Sequence, residues 1–268
     1  MARVKGLFQV TGSMKGVSMY TMRGSDEVII RTKGGPNKQT IKTSESCKGL
    51  RESGSEWSGC TKAASSLRRA LEPIARLADY NVMGGMNALC KKIQQLDTEH
   101  PKGQRHVYVR EHKQLLTGFN FNKTNPFDRV IRLALSCEIN REMVTATLTI
   151  PEFVPDEHLA APNKLPLMRF VAVLGVCTDV TFDEQVKDYK PVNDLLLGYC
   201  REEHTDWFPV KRNMPEQLLT VNLTRIAQYL TESDTLVLAA GVEFGTVGAD
   251  GNGEAVKWAG AAKIMGVL

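Results

Sequence analysis

The hydrophobic pattern of residues 1–35 predicts three short β-strands separated by glycines. The strands are expected at residues 7–10, 17–22 and 27–31, with Gly12 and Gly16 beside the first connection and a hairpin turn at residues 23–26. Strands this short cannot bury a core by themselves. We therefore predict an N-terminal β arm that completes its burial on the rest of the chain or on another copy.

The apolar positions then change to helical spacing. Residues 32–43 are polar and predict a loop or linker, whereas residues 44–97 predict helices with two apolar stripes. Pro73 predicts a kink or a new helix that starts near Leu71, and Gly84 and Gly85 predict a break before the second stripe. The stripes consist of Leu67, Ala70, Leu71, Ile74, Leu77 and Ala78, and of Met86, Leu89, Cys90, Ile93 and Leu96.

Beyond Arg105 the period changes to two, which predicts strands. A short strand is expected at residues 106–109, and an asparagine-rich joint follows at residues 120–126. Val144, Ala146, Leu148 and Ile150 alternate with threonines, as in a strand with one buried face. Other strands are expected at residues 129–136, 142–150, 168–177, 217–223, 235–245 and 255–267, with turns at 138–141 and 250–253.

Together these patterns predict an α+β protein of three parts. An N-terminal β-hairpin arm and linker would occupy residues 1–43, a short helical domain residues 44–118, and an antiparallel β-sandwich domain residues 119–268. The length of 268 residues is sufficient for domains with real cores.

The composition and the distribution of charge limit the classes of protein to which this chain can belong. With 42% apolar and 24% charged residues the chain has ordinary globular composition, and it contains neither a run of 18 apolar residues nor a signal-peptide pattern. We expect cytoplasmic synthesis without a signal peptide, no membrane span, and a final location in a virion or at the cell exterior as open possibilities. Residues 1–120 carry a net charge of +10 and residues 121–268 one of −6, which suits contact between copies or with a polyanion.

The chain lacks the common catalytic and metal-binding motifs. It contains no H-E-x-x-H, no G-x-S-x-G and no Walker A sequence, and none of its six cysteines forms a C-x-x-C pair, so reduced thiols are expected. Residues 202–206 contain ligand-type side chains but read as a solvated loop, and residues 250–254 read as a hairpin turn rather than a calcium loop. We therefore predict no catalytic residues, no metal site and no cofactor.

The N-terminal third resembles a group of uncharacterised proteins from Bacteroidota. The resemblance rests on the opening residues 1–6, on Gly12 and Gly16, on Arg31, and on the polar loop before an arginine-bearing helix. That group begins with an M-A-R/K-x-K-x-G segment, and here the glycine falls at Gly6. The resemblance implies a helical middle and a β-rich C-terminal domain, and it assigns no catalytic residues.

These observations favour a non-enzymatic structural subunit that self-assembles through its N-terminal arm, such as a phage virion component or a bacterial surface filament. The partners are then further copies or another assembly protein. The residues expected to form the assembly arm are Leu7, Phe8, Val10, Val17, Met19, Tyr20, Val28, Ile29 and Ile30.

The alternative is a binding module for nucleic acid or glycan. Aromatic side chains among basic residues can stack on single-stranded bases, and Trp207 and Trp258 are candidate platforms for sugars, although Trp258 is expected in the core. An enzyme built from distant residues stays open. The residues expected to contact a polyanion are Arg3, Lys5, Lys15, Arg23, Arg31, Lys33, Arg68 and Arg69.

Overall fold

A computed structural model describes residues 2–4, 10–22, 27–32, 34–79, 82–162, 164–249 and 251–268, with the backbone alone at residues 2–4. The chain divides into two compact units, Met1–Arg51 and Glu52–Leu268. The predicted α+β fold class is confirmed. The division lies after Arg51, a few residues beyond the boundary predicted at residue 43.

The first unit contains a four-stranded antiparallel sheet, here called the arm sheet. Its strands are β1 (Ala2–Val4), β2 (Gly12–Met14), β3 (Val17–Thr21) and β4 (Val28–Thr32), in the order β1-β4-β3-β2. The strands predicted at residues 17–22 and 27–31 are confirmed. Residues 7–9 and the predicted hairpin turn at residues 23–26 lie outside the described residues.

A short helix, α1 (Lys38–Thr43), occupies part of the predicted linker, so the loop predicted there is wrong. Asn37 caps this helix, because its side-chain oxygen accepts the Thr40 N–H at 2.7 Å. None of the residues of α1 is buried, so no apolar stripe marks the helix in the sequence. It is followed by a 3₁₀ turn at Glu45–Cys47.

The predicted helical region contains α2 (Lys48–Ala70), α3 (Glu72–Ala75) and α4 (Val82–Gln95). The helix break near Leu71 is confirmed, with Pro73 in the first turn of α3. The break predicted at Gly84 and Gly85 is wrong, because both lie inside α4. A Cβ on Gly85 would lie 3.4 Å from the ring of Phe119, so this glycine gives the ring room beside the helix.

The C-terminal region consists of antiparallel sheets. A five-stranded sheet has the order β10-β7-β13-β14 with β11 also paired to β7, a three-stranded sheet has the order β12-β6-β5, and β8 pairs with β9. The strands are β5 (Ser136–Asn140), β6 (Thr145–Ile150), β7 (Leu167–Thr178), β8 (Val180–Asp183), β9 (Asp188–Pro191), β10 (Cys200–His204), β11 (Phe208–Pro209), β12 (Gln217–Asn222), β13 (Asp234–Val247) and β14 (Gly253–Val267).

The second unit is built in three layers around two hydrophobic cores. The helices cover one face of the five-stranded sheet, where Val171 and Val173 join Leu67 and Ile74 in one cluster. The three-stranded sheet covers the other face, where Phe170 joins the second cluster together with Leu148 and Val221. Because both faces of β7 are covered, its sequence is an almost continuous apolar run. The regions predicted as a helical domain and a sandwich domain thus share a core.

Several strand boundaries differ from the predictions. In place of a strand at residues 129–136 the chain forms α5 (Phe127–Val130), and the expected turn at 138–141 falls largely within β5. Residues 106–109 contribute only an isolated bridge between Val107 and Val180. Strands β8 to β11 were not predicted, since they are short and mostly polar. Another short helix, α6, spans Pro155–His158.

Candidate functional site

The edge of the arm sheet that strand β2 forms, here called the open edge, is the first candidate site. Strand β2 pairs only with β3 among the described residues, and all three of its residues are exposed. Lys15 and Gly16 join the two strands in a two-residue turn with φ values of 24° and 80°. In such a hairpin the residues next to the turn exchange hydrogen bonds, and the pairs then alternate. Ser13 therefore directs its N–H and C=O away from β3, toward the open edge.

The residues predicted for the assembly arm occupy different environments. Val28 and Ile29 are buried in β4, and Val17, Met19, Tyr20 and Ile30 are half-buried. Val10 is 60% exposed just before β2, and Met14 at the end of β2 is 67% exposed. Leu7 and Phe8 lie outside the described residues. Apolar side chains are thus present near the open edge in addition to unpaired backbone groups.

The described residues among the predicted polyanion contacts are divided between the two units. Arg31 is exposed in β4 and its guanidinium lies 5.7 Å from the Tyr20 ring centroid. Arg3 lies in β1, Lys15 lies in the β2–β3 turn, and Lys5, Arg23 and Lys33 lie outside the described residues. In the second unit, Arg68 and Arg69 are exposed in the last turn of α2.

A second candidate site, here called the Asp97 cluster, consists of Asp97, His100, His106 and Tyr108. Asp97 follows α4 with a side chain only 1% exposed. Its Oδ1 accepts the N–H groups of Glu99 at 2.9 Å and His100 at 3.2 Å, and its Oδ2 accepts the His106 N–H at 2.7 Å. These bonds hold the carboxylate in one orientation at the start of the loop that carries both histidines.

The two imidazole rings of the Asp97 cluster are stacked, with centroids 3.7 Å apart and planes at 27°. His100 Nδ1 lies 2.9 Å from Asp97 Oδ2, and His106 Nδ1 lies 2.7 Å from the Tyr108 hydroxyl. One ligand-type atom from each of Asp97, His100 and His106 lies within 4.8 Å of the others.

Electrostatics sets the charge states in the Asp97 cluster. Burial favours the neutral acid, but the N–H groups of His106, His100 and Glu99 outweigh it and lower the pKa of Asp97. Burial and then the nearby His100 lower the pKa of His106. Burial, followed by the charge of Asp97, raises the pKa of Tyr108. The cluster therefore contains an ionised carboxylate beside an imidazole that favours its neutral form.

Next to this loop is a buried polar network centred on Glu56 of α2. The Glu56 carboxylate accepts hydrogen bonds from Lys91 Nζ at 2.5 Å and from the Gly103 N–H at 3.0 Å. Arg105 Nε lies 3.5 Å from Glu56 Oε1. Gln94 accepts a further bond from Lys91 and donates to the carbonyls of Glu56 and Arg105. Burial opposes ionisation of Glu56, but the bonds from Lys91 and Gly103 lower its pKa. This network fastens the 103–105 segment to α2 and α4.

A third cluster surrounds Glu243 of β13, whose side chain is 1% exposed. Arg76 Nε lies 2.5 Å and Arg169 Nε 2.7 Å from its two carboxylate oxygens. Glu202 lies 3.5 Å from Arg76 and 3.4 Å from His204 Nε2. Because the two arginines are neutralised by two carboxylates, the cluster is an ion-pair network that links Arg76 to strands β7, β10 and β13.

The remaining candidate residues are Trp207, Trp258 and the six cysteines. Trp207 is half-buried, with the Arg169 guanidinium 4.6 Å from its ring centroid. Trp258 lies in β14 as expected but is 66% exposed, so the prediction that it belongs to the core is wrong. All six cysteines are free thiols, and burial raises the pKa of Cys60 to about 11 and that of Cys90 to about 12. Buried thiols of this kind are poor nucleophiles.

Surface hollows lie apart from these clusters, and one of about 320 Å³ is lined by Arg110, Arg141, Glu142 and Glu232 among other residues. Two other hollows have different linings. One of about 380 Å³ is lined by Tyr199, Arg201 and residues 222–225, and one of about 530 Å³ lies between residues 164–166 and 209–211. Neither is lined by a histidine or a carboxylate. They therefore do not bring together the acid and base groups that general acid–base catalysis requires.

Comparisons with known proteins add no identification. No protein-family model matches this chain, and neither the curated proteins nor the solved structures contain a match. Within the part of the chain that the structure describes, no helix has both the length and the apolar character needed to cross a bilayer.

Sequence reasoning missed the Asp97 cluster. The test for histidines four residues apart fails here, because the donors are spaced Asp-x₂-His-x₅-His and the loop at residues 101–103 brings His106 back to Asp97. A search for Asp and His on both sides of a Pro–Gly turn would have found it.

Proposed function

We propose that this protein is a non-enzymatic structural subunit that self-assembles by adding strands to the open edge of its arm sheet. The observation that carries the proposal is strand β2, an exposed edge strand that pairs on one side only among the described residues. An exposed edge is a template for another strand, and natural proteins usually blunt or cover such edges. Here the edge is accompanied by the exposed apolar side chains of Val10 and Met14.

Charge supports a second copy as the partner. Residues 1–120 and 121–268 carry opposite net charges of +10 and −6, and opposite charges favour contact between copies. Strand addition supplies main-chain hydrogen bonds, and the exposed apolar side chains supply further buried area. A virion component or a surface filament remains the setting that we propose for such a subunit.

Ser13→Pro tests the proposal at a single backbone group. Proline removes the outward N–H of Ser13 without removing a bond to β3, and edge strands tolerate it. We expect the wild-type protein to form oligomers and Ser13→Pro to associate at least about tenfold more weakly, a loss of about 1.4 kcal/mol. Size-exclusion chromatography with light scattering measures the mass against the 29.7 kDa of one chain.

Ser13→Ala is the matched control, since it changes the side chain and keeps the N–H; it should assemble like the wild type. A second variant that begins at Lys38 lacks the arm sheet and should be monomeric. A wild-type protein that stays monomeric at millimolar concentration would contradict the proposal, as would equal association of Ser13→Pro and Ser13→Ala. Salt-sensitive binding of single-stranded DNA by monomers would instead favour a nucleic-acid module.

A further inference from the structure

We propose that Asp97, His100 and His106 form a binding site for a divalent transition-metal ion of the zinc type, held in the second unit independently of any assembly by the arm sheet. Carboxylate and imidazole are ligands that zinc uses, and three protein ligands with an open fourth position are a common zinc arrangement. The three donor atoms already lie within 4.8 Å of one another.

The pair formed by Asp97 and His100 already has nearly the required spacing. Donors bound to tetrahedral zinc at 2.0–2.2 Å lie roughly 3.3 Å apart. Asp97 Oδ2 and His100 Nδ1 lie 2.9 Å apart, with only a proton between them. An ion that takes the place of this proton, which passes to solvent, needs a separation only slightly larger than the present one.

His106 supplies the third donor. In the tautomer in which its Nδ1–H donates to the Tyr108 hydroxyl, at 2.7 Å, the Nε2 atom carries the free lone pair. Metal-bound histidines usually donate their other ring N–H in this way, which fixes the ring. The His106 ring is stacked on that of His100, which places it beside the Asp97–His100 pair, and a ring nitrogen of His106 lies within 4.8 Å of the ligand-type atoms of that pair.

The backbone around the site is fixed before any ion arrives. Asp97 accepts the N–H groups of Glu99, His100 and His106, so the segments that carry both imidazoles are fastened to the carboxylate. Val107 is held to Val180 by two backbone bonds of 2.8 and 3.1 Å, which anchors the segment just after His106. The ligands are therefore presented on an ordered loop, which lowers the entropy that binding must overcome.

Direct binding tests the proposal on the full-length protein. After treatment with a chelator, the protein is titrated with Zn²⁺ by calorimetry and with Co²⁺ by visible absorption, which reports the ligand geometry. We expect one ion per chain for the wild type, and a loss of affinity of at least about 100-fold in His100→Gln and His106→Gln. Tyr108→Phe, which removes a positioning group, should weaken binding about tenfold.

His112→Gln is the matched control, since it removes a histidine near the site in sequence but outside the three donors. It should bind like the wild type. Circular dichroism shows whether each variant is folded. Because His100→Gln and His106→Gln each remove one ligand, one folded variant of the two is sufficient for the test. The absence of Zn²⁺ binding at 100 µM would overturn the proposal, and so would retention of wild-type affinity in both folded variants.

Discussion

Gly175→Ala is expected to lower the free energy of unfolding by about 3 kcal/mol, at the upper end of the usual effect of overpacking a core. Gly175 lies near the C-terminal end of β7, against Ala70, the last residue of α2. A Cβ at this position would overlap the carbonyl oxygen of Ala70 and would lie 2.6 Å from its carbonyl carbon. Because the clash is with backbone, no side-chain rotation relieves it.

Urea denaturation followed by circular dichroism measures the effect, and Gly54→Ala is the matched control. Gly54 lies in α2, where an added Cβ meets nothing within 4 Å. Alanine is the better helix former, so this control should stabilise the protein by about 0.5–1 kcal/mol. Wild-type stability in Gly175→Ala would show that α2 does not rest on β7 as described.

Gly175 belongs to a set of glycines that lets the helices approach the sheet. Gly241 in β13 is covered by Ile74 of α3 and by Leu77 just after this helix, whose side-chain carbons would lie 3.3 and 2.9 Å from an added Cβ. Helices can approach a sheet this closely only where side chains are missing from its surface. The glycines thus set the position of the helical layer as much as the apolar residues do.

The sequence predicts the elements of this fold better than their arrangement. In β6 the alternation of threonine with Ala146, Leu148 and Ile150 matches its alternating burial, because one face is on the core and the other in solvent. The apolar run of β7 likewise predicts a buried strand. The run does not show, however, that helices cover one face of this strand. The role of Gly175 depends on Ala70, more than 100 residues away, and no local pattern carries such a contact.

The candidate sites, too, could be predicted only where they depend on neighbouring residues in the sequence. Strands β3 and β4 of the arm were predicted from local sequence patterns, but the exposed strand β2 was not, because Gly12 and Gly16 were taken to flank a connection. The Asp97 cluster was not predicted, because its donors converge only through a loop closed by hydrogen bonds to one carboxylate. Glu56 reads as an ordinary charged position of α2, and only its contacts with Lys91 and Gly103 show that it is buried.

Glu56→Gln is expected to lower the free energy of unfolding by about 2 kcal/mol at neutral pH. Glutamine keeps the shape but loses the charge that pairs with Lys91 and Arg105. Removing one partner of a buried ion pair often costs about 3–5 kcal/mol. The effect should be smaller here because Lys91 and Arg105 are 27% and 28% exposed and remain in contact with water.

The pH dependence identifies the cause of this loss. The pKa of Glu56 in the folded protein lies below its ordinary value of 4.5, so the folded state binds fewer protons than the unfolded state near that pH. Its contribution is therefore complete above pH 4.5 and is lost as the pH falls through the folded-state pKa. Asp97 adds a loss of the same sign, but it is present in both proteins and cancels in the difference.

Urea denaturation at a series of pH values measures the free energy of unfolding of wild type and Glu56→Gln. The difference between the two free energies, here called the gap, should be constant near neutral pH and should close in acid. Glu52→Gln, one turn earlier in α2 and less buried, is the matched control and should show a much smaller gap. A gap that stays constant down to pH 3 would mean that the loss comes from packing of the amide and not from the ionised carboxylate. Closure of the gap in acid would instead establish Glu56 as the charged group that ties α2 and α4 to the segment leading into the Asp97 cluster.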